Sequence, residues 1–303
     1  MKKVLVIGSS CVDIILKVDY LPAQGEDIEP KYQKFLVGGC AHNVAHVIKS
    51  CGAEVCFLTP VGQGVYGDYV WKHMEKKGFR GPIRIQDMEN GCCYCLVDCT
   101  GERTFLSIHG AEYSFHESYM KEFENEDFDY TYVCGLEIEE ETGAELIDYL
   151  KKRRTTIFYA PSSRITEIPI KRHEALLELG PILHLNEEEA VYLAGIISRK
   201  GIHNIETAGK ILNRRTGNLV IITMGEEGSV WIDEAGKAHY LEAEQTKVKD
   251  TIGAGDSHAG GVLSGLALGK TVEESMALAG RIAAAVVEIE GAQASEEEIR
   301  ARL

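Results

Sequence analysis

Short apolar segments alternate with longer amphipathic segments along most of this chain, and few folds accommodate such an order. Six segments are apolar and have the length of strands that are buried on both faces. They are 4–7, 55–59, 130–134, 156–159, 182–185 and 219–223. Helical spacing of apolar residues predicts helices at 43–51, 66–77, 142–152, 187–193, 205–215, 259–268 and 272–289. Alternation of this kind is typical of a parallel sheet covered by helices on both faces, so we expect a three-layer α/β/α sandwich.

Two segments interrupt the alternation. Residues 14–37 and 92–108 show no helical period. Within the second, Asp98-Cys99-Thr100-Gly101-Glu102 has the composition of a turn, which predicts a hairpin of strands 93–97 and 103–108. We expect a small β layer outside the main sheet, where it could serve as a lid. No repeat or linker divides the 303 residues, so a single domain is expected.

The charge balance argues against two classes of partner. The chain has 32 Lys and Arg against 47 Asp and Glu, a formal net charge of −15. Nucleic acids and anionic membranes attract basic surfaces, so we expect neither as a partner. No apolar run approaches the roughly 18 residues of a membrane helix, and the run after Lys3 is too short for a signal peptide. A cytoplasmic protein is expected, and any phosphate it binds needs local groups that offset the repulsion.

Nine cysteines are scattered through the chain, which is unlike the disulfide framework of a secreted protein. Cys92, Cys93, Cys95 and Cys99 are close enough in sequence to raise a metal site, although they lack paired CxxC spacing. Cys93, Cys95 and Cys99 have the same parity, so on a strand they would line one face as small apolar residues. Packing is the favoured interpretation, and metal binding remains the alternative.

Two of three glycine-rich segments fit nucleotide-binding patterns poorly. Gly62-Gln63-Gly64-Val65-Tyr66-Gly67 has GxGxxG spacing, but it does not follow the first strand of the fold. Gly269-Lys270-Thr271 resembles the end of a phosphate-binding loop, but Ser264 stands where that pattern needs glycine. Gly269 is better explained as the end of a helix.

The third segment, Asp250-Thr251-Ile252-Gly253-Ala254-Gly255-Asp256-Ser257, runs into a predicted helix. Gly253 and Gly255 allow a tight turn that presents backbone N–H groups, and the helix start adds partial positive charge. Such a turn suits a phosphate. Asp256 would repel that phosphate unless it acts chemically, for example as a general base that takes a proton from an attacking hydroxyl. The alternative is that Asp256 only caps the helix.

Four motifs, in order along the chain, resemble those of the ribokinase-like (PfkB) family of carbohydrate kinases. Gly38-Gly39-Cys40-Ala41-His42-Asn43-Val44-Ala45 is similar to its N-terminal motif, and Asp250-Thr251-x-Gly253-Ala254-Gly255-Asp256 matches its C-terminal signature. Asn186-x-x-Glu189 and Thr223-Met224-Gly225-Glu226-Glu227-Gly228 resemble its magnesium-associated motif and its nucleotide loop. The resemblance implies a ribokinase-like fold with a β lid, ATP as phosphoryl donor, magnesium, and a sugar-like acceptor.

The resemblance also implies a role for each of these residues. Asp256 would be the general base, and the backbone N–H groups of Gly253, Ala254, Gly255 and Asp256 would form an anion hole. Substrate-binding positions would be Asp13, Gly38, Gly39, Asn43, Glu137 and Arg164. ATP-binding positions would be Asn186, Thr223, Gly225 and Gly228, with Glu189 associated with magnesium. A monovalent cation, expected to be potassium, would lie at Asp250, Ile252, Val286, Ile289, Gly291 and Ser295.

The acceptor is open between two classes. Cys40 stands where ribokinases have lysine, and Cys11 replaces an asparagine, so ribose itself is in doubt. A sugar without phosphate is favoured, because Arg103 and Arg164 are the only candidates to bind a second phosphate. A nucleoside is the alternative, since Phe35, Tyr94, Phe105 and His109 lie in the predicted lid and could stack a base. A protein that senses a sugar or nucleotide without catalytic activity is a third possibility. Separately, pairing of the lids of two chains is expected to give a homodimer.

Overall fold

The computed structural model describes residues 2–303. It contains thirteen strands and ten α-helices. The strands are β1 (Lys3–Ile7), β2 (Cys11–Lys17), β3 (Tyr32–Gly38), β4 (Glu54–Gln63), β5 (Pro82–Glu89), β6 (Cys92–Val97), β7 (Arg103–Ile108), β8 (Tyr130–Cys134), β9 (Thr156–Ala160), β10 (Ile182–Asn186), β11 (Val220–Thr223), β12 (Ser229–Ile232) and β13 (Ala238–Leu241). The helices are α1 (Cys40–Ser50), α2 (Gly64–Lys77), α3 (Gly135–Glu139), α4 (Gly143–Lys151), α5 (Ile170–Leu177), α6 (Glu187–Ser198), α7 (Ile205–Thr216), α8 (Ala254–Ala267), α9 (Val272–Val287) and α10 (Glu296–Arg300).

Nine strands form the central sheet in the order β13-β12-β11-β10-β9-β8-β1-β4-β5. The pairs from β11 to β5 are parallel, and β12 and β13 add antiparallel at one edge. Alternate residues of β1 face opposite sides: Leu5 and Ile7 pack in a core with α4 to α7, whereas Val4 and Val6 pack with α1, α2, α8 and α9. The predicted three-layer sandwich is therefore confirmed.

The second sheet has the order β3-β2-β6-β7 and is the predicted lid. The hairpin of β6 and β7 is confirmed, with Asp98 accepting hydrogen bonds from the N–H groups of Thr100 and Glu102 in its turn. The first lid strand begins at Cys11 rather than at residue 14, and residues 18–31 between β2 and β3 form no strand.

The lid has two different faces. Asp13, Ile15, Leu36, Cys95 and Phe105 line a cavity on its inner face. On the outer face, Ile14 and Cys92 are buried in the core that contains α2. Cys93 and Cys95 share the inner face, as predicted, but Cys99 lies exposed in the turn after β6, so its expected place on that face is wrong.

Several elements differ from the sequence-based boundaries. Residues 82–89 form β5 parallel to β4; this strand was not predicted, and neither were α5, β12 and β13. The helix after the glycine-rich turn begins at Ala254, five residues earlier than 259, and this places Asp256 in its first turn. Within residues 2–303, no helix is both long and apolar enough to cross a bilayer.

Candidate active site

The start of α8 is shaped to bind an anion. Gly253 precedes the helix with φ +74°, and a Cβ there would lie 2.3 Å from the carbonyl oxygen of Ala292, so only glycine fits. Ala254 donates its N–H to the carbonyl of Thr251. Across residues 2–303, the N–H groups of Gly253, Gly255 and Asp256 donate to no protein acceptor. Three of the four N–H groups predicted for the anion hole are therefore free to bind a ligand at a positive helix end.

Asp256 lies in this first turn and contacts α1. Its Oδ2 accepts a hydrogen bond of 2.8 Å from Nδ2 of Asn43. Burial raises the pKa of Asp256 above its ordinary value, and hydrogen bonds from Asn43 and Cys40 partly oppose that rise. A carboxylate with a raised pKa and a fixed orientation is suited to accept a proton.

Asn43 is itself held in place by Gln293. The Nε2 of Gln293 lies 2.7 Å from Oδ1 of Asn43 and also donates to the carbonyl of Val37 at 3.2 Å. The amide oxygen of Asn43 thus receives a hydrogen bond, which leaves its NH2 group to face Asp256. Gln293 was not predicted as a site residue, and its only sequence signal was its place in the segment beginning at Gly291.

Asp13 lies on β2 beside the glycine pair that ends β3. A Cβ on Gly38 would lie 1.9 Å from Oδ2 of Asp13, and one on Gly39 would lie 2.7 Å from the carbonyl of Ser9. Neither position has room for a side chain, and contact of these two glycines with an acceptor stays a prediction. Burial raises the pKa of Asp13 to about 6, and the charge of Asp256 adds to the rise. The effect of Asp256 on the pKa of Asp13 shows that the two carboxyl groups lie within electrostatic reach of each other.

The side chain of Glu137 is buried and does not face an open cavity. It is 1% exposed in the short helix α3, and its Oε1 accepts the N–H of Ser9 at 2.7 Å. Its Oε2 and the hydroxyl of Ser9 are buried without a hydrogen-bond partner among residues 2–303. Burial raises the pKa of Glu137 to about 7. In this structure Glu137 holds the turn after β1, and contact with an acceptor stays a prediction.

The two arginines considered for phosphate binding are both ion-paired. Arg164 is half-exposed and donates through Nε to Glu139 at 2.7 Å, with a second contact through Nη2. Arg103, at the start of β7, lies 2.5 Å from Oδ2 of Asp250. Neither guanidinium is available without breaking an ion pair.

The residues predicted to bind ATP lie at the ends of two adjacent strands. Asn186 ends β10 and is paired in register with Thr223 at the end of β11. The loop that follows has Gly225 at φ +57° and Gly228 at φ +101°, and a Cβ on Gly228 would lie 2.1 Å from the carbonyl of Leu241. The structure therefore places these four positions together at the carboxyl edge of the sheet.

Asn186 and Glu189 form a reciprocal cap of α6. The side chain of Asn186 accepts the N–H of Glu189 at 2.8 Å, and the carboxylate of Glu189 accepts the N–H and NH2 of Asn186, both at 3.0 Å. Burial raises the pKa of Glu189, and the charge of Asp256 raises it further. Mg²⁺ takes one or two carboxylates together with water and substrate phosphates. Glu189, within electrostatic reach of Asp256, fits that requirement.

The residues predicted to bind potassium are less suited to a cation than Glu189 is to magnesium. Its Asp250 carboxylate already pairs with Arg103 and accepts N–H bonds from Ile252 at 2.9 Å and Gly291 at 2.8 Å. The hydroxyl of Ser295 caps α10. The carbonyl oxygen of Val286 accepts the N–H of Ile289 at 3.2 Å. Val286 lies in the last turn of α9 and the other residues lie outside the helices, but the one carboxylate among them is already paired with a guanidinium.

A cavity of about 210 Å³ lies between the lid and these loops. Its lining includes Asp13, Lys34, Phe105, Arg103, Asp250 and Gln293. Of the four aromatic residues expected to stack a base, only Phe105 lines it. Tyr94 contacts Tyr66 of α2, Phe35 packs on Tyr69 of the same helix, and His109 pairs with Glu140.

Comparison with known proteins gives one consistent result. Residues 1–299 match the model of the pfkB family carbohydrate kinases. The uncharacterized sugar kinase YegV of Escherichia coli (strain K12) is 33% identical over 287 residues, which cover 94% of this chain and 88% of that protein. Among solved structures, the ribokinase of Thermotoga maritima superposes with a TM-score of 0.86 at 24% identity, covering 100% of this chain and 99% of that one. The Arabidopsis thaliana ribokinase complexed with ribose and ATP gives a TM-score of 0.82 at 19% identity, with 99% and 98% coverage.

The family match extends over nearly the whole chain, and the solved ribokinases share its fold. The chain therefore belongs to the PfkB family of carbohydrate kinases, which are phosphotransferases, and it has the ribokinase fold.

Proposed function

We propose that this chain transfers the γ-phosphoryl group of ATP to a hydroxyl of a small unphosphorylated sugar, with Asp256 as general base. The observation that carries the proposal is the arrangement at α8. A carboxylate with raised pKa lies in the same turn as three backbone N–H groups that have no acceptor in the described part of the chain, residues 2–303. A protein that only binds phosphate gains nothing from a carboxylate beside it, whereas a kinase needs a proton acceptor there.

In the proposed mechanism, Asp13 accepts hydrogen bonds from the acceptor and orients it toward Asp256. Asp256 takes the proton of the attacking hydroxyl while its oxygen forms a bond to the γ-phosphorus. The bond from that phosphorus to the bridging oxygen of ADP breaks in line. The N–H groups of Gly253, Gly255 and Asp256 stabilise the negative charge on the transferred group. Magnesium, when bound, neutralises phosphate charge, and Glu189 is the residue that would hold it.

ATP is proposed as the donor because Asn186, Thr223, Gly225 and Gly228 line one edge of the sheet beside the anion turn. The Arabidopsis ribokinase of the same fold was solved with ATP and ribose, which supports that assignment. Potassium activation is implied by the family resemblance alone, and the ion pair between Asp250 and Arg103 argues against it.

A sugar is favoured over a nucleoside as acceptor on two grounds. The cavity of about 210 Å³ is smaller than the roughly 300–1,000 Å³ usual for larger ligands. In addition, three of the four aromatic residues considered for base stacking are engaged elsewhere, so only Phe105 remains. Lys34 lines the cavity without an ion pair among residues 2–303, and an acidic sugar therefore belongs in the test.

The experiment is a coupled ADP-release assay with ribose, fructose, 2-keto-3-deoxygluconate, adenosine and pseudouridine. We expect one sugar to give a kcat/KM far above the others. Asp256→Asn should lower kcat for that sugar by about 10²- to 10⁴-fold while ATP still binds. Asp148→Asn, an exposed change on α4, is the matched control and should leave kcat unaltered. Full activity of Asp256→Asn would exclude Asp256 as the base, and a nucleoside as the preferred acceptor would exclude a sugar kinase.

A homodimer formed through the lid is also proposed. The outer lid face leaves Phe35, Leu106 and Ile108 between 39% and 59% exposed, and β3 and β7 are unpaired edges of the four-stranded sheet. Exposed apolar edge strands favour association. Light scattering should give twice the chain mass of 33.4 kDa, and a monomer at micromolar concentration would contradict the proposal.

A further inference from the structure

One ion pair connects the lid to the loop that precedes the anion turn. Arg103 stands at the start of β7, and its side chain is 19% exposed. Its Nη2 lies 2.5 Å from Oδ2 of Asp250, whose side chain is only 2% exposed. An unpaired carboxylate so deeply buried would be unfavourable, so the guanidinium stabilises its charged form.

Asp250 joins the two chain segments that shape the anion turn. Its Oδ1 accepts the N–H of Ile252, immediately before Gly253, and its Oδ2 accepts the N–H of Gly291. Ala292, next to Gly291, has the carbonyl that leaves no room for a Cβ at Gly253. The charged carboxylate thus orients both walls of the turn, and whatever cation neutralises Asp250 acts on the geometry of the anion hole.

We propose that Arg103 supplies from the lid the positive charge that the family resemblance assigns to a monovalent metal ion. The inference rests on the proposed kinase function, and it means that this chain works without potassium. A second monovalent cation on the same carboxylate would be repelled by a guanidinium already in contact with it. The hydroxyl of Ser295 is also engaged, as the cap of α10.

Placing this charge on the lid couples lid closure to catalysis. Two other contacts join the lid to the same loop: Tyr32 donates its hydroxyl to Glu290, and Gln293 donates to the carbonyl of Val37 at 3.2 Å. When the lid opens, Arg103 leaves Asp250, and the carboxylate loses the charge that fixes it. The anion hole is then fully organised only when the acceptor is enclosed, which limits transfer of phosphate to water.

The test compares wild type, Arg103→Met and Arg103→Lys in buffers whose only monovalent cation is potassium or N-methylglucamine, an organic cation too large for the site. Wild-type kcat should agree within twofold between the two buffers. Arg103→Met should lose at least tenfold in N-methylglucamine and recover part of that loss in potassium, while Arg103→Lys retains more activity than Arg103→Met. Arg215→Met removes an exposed ion pair on α7 and is the matched control.

A second readout does not depend on turnover. Potassium should raise the melting temperature of Arg103→Met relative to N-methylglucamine and leave that of wild type unchanged. A tenfold potassium activation of wild type, a wild-type melting temperature that rises in potassium, or full activity of Arg103→Met in N-methylglucamine would each overturn the inference. The wild-type comparisons need no variant, so they decide the matter even if Arg103→Met does not fold. Absence of turnover with every acceptor would refute the proposed function, while the melting comparison would still test Arg103.

Discussion

Glu137 gives the most quantitative test of how the site is built. Its carboxyl is 1% exposed, one oxygen accepts only the N–H of Ser9, and the other has no partner among residues 2–303. Burial therefore raises its pKa from an ordinary 4.5 to about 7. The native state keeps this proton between those two pH values, whereas the unfolded chain releases it. The free energy of unfolding must accordingly fall as the pH rises through this interval and level off above it.

The size of the effect follows from the pKa values. Each pKa unit corresponds to about 1.4 kcal/mol, so the ionisation of Glu137 costs the native state up to about 3 kcal/mol above pH 7. Glu137→Gln keeps the acceptor oxygen for Ser9 and cannot ionise. Near pH 4.5 the free energy of unfolding of the variant should therefore be equal to or lower than that of wild type. Between pH 4.5 and pH 8 the difference should change by up to about 3 kcal/mol in favour of the variant.

Urea unfolding at half-unit pH intervals from 4.5 to 8 measures this difference directly. Taking the difference between variant and wild type removes the contribution of all other titrating groups in this acidic chain. Glu234→Gln, an exposed change in the turn before β13, is the control and should follow the wild-type curve at a constant offset. Parallel curves for Glu137→Gln and wild type would show that Glu137 is solvated in solution and would refute the burial argument.

Two further predictions concern the acceptor and the anion turn. Burial raises the pKa of Asp13 to about 6, so kcat/KM for the acceptor should rise with pH through that value as the carboxylate gains its charge. Asp13→Asn should abolish this rise of kcat/KM with pH. It should also raise KM for the acceptor roughly 10- to 100-fold, as expected for loss of a charged hydrogen bond. A sugar KM within threefold of wild type would remove Asp13 from the acceptor site. Gly253→Ala places a Cβ at φ +74° against the carbonyl of Ala292, which should cost about 1–2 kcal/mol of stability and lower kcat. At Gly255 a Cβ would meet nothing within 4 Å, so Gly255→Ala should fold normally. Calorimetry and the ADP-release assay check both, and equal melting temperatures for the two variants would contradict the strain argument.

Local pattern was enough to predict the main layers, because buried parallel strands and amphipathic helices have their periodicity in contiguous residues. It failed where long-range pairing decides the structure. Residues 82–89 contain a mixture of polar and apolar side chains, and they form β5 because β4 offers a free edge. The start of α8 was set too late because its first residues are glycine, alanine and aspartate, which carry no apolar period.

The site shows the same division between local and distant information. Gly38, Gly253 and Asp256 were recognised from contiguous motifs, and the close approaches at both glycines explain why those motifs need glycine. The orientation of Asp256 depends on Asn43, 213 positions away, and that of Asn43 depends on Gln293, 250 positions away. Such contacts leave no periodic signal in the sequence, since they exist only once α1, α8 and the C-terminal loop have packed.

The distribution of charge in the site constrains the acceptor more than the net charge of −15 does. The charge of Asp256 raises the pKa of both Asp13 and Glu189, so the site is locally acidic. An acceptor that already carried a phosphate would need a guanidinium to offset this field. Arg103 is held by Asp250 and Arg164 by Glu139, and freeing either would leave a carboxylate without its partner. In the proposed function the phosphate of ATP meets a different environment, because the N–H groups of Gly253, Gly255 and Asp256 at the positive start of α8 donate to no acceptor within residues 2–303. The same protein can therefore be acidic overall, bind a triphosphate, and still discriminate against phosphorylated acceptors.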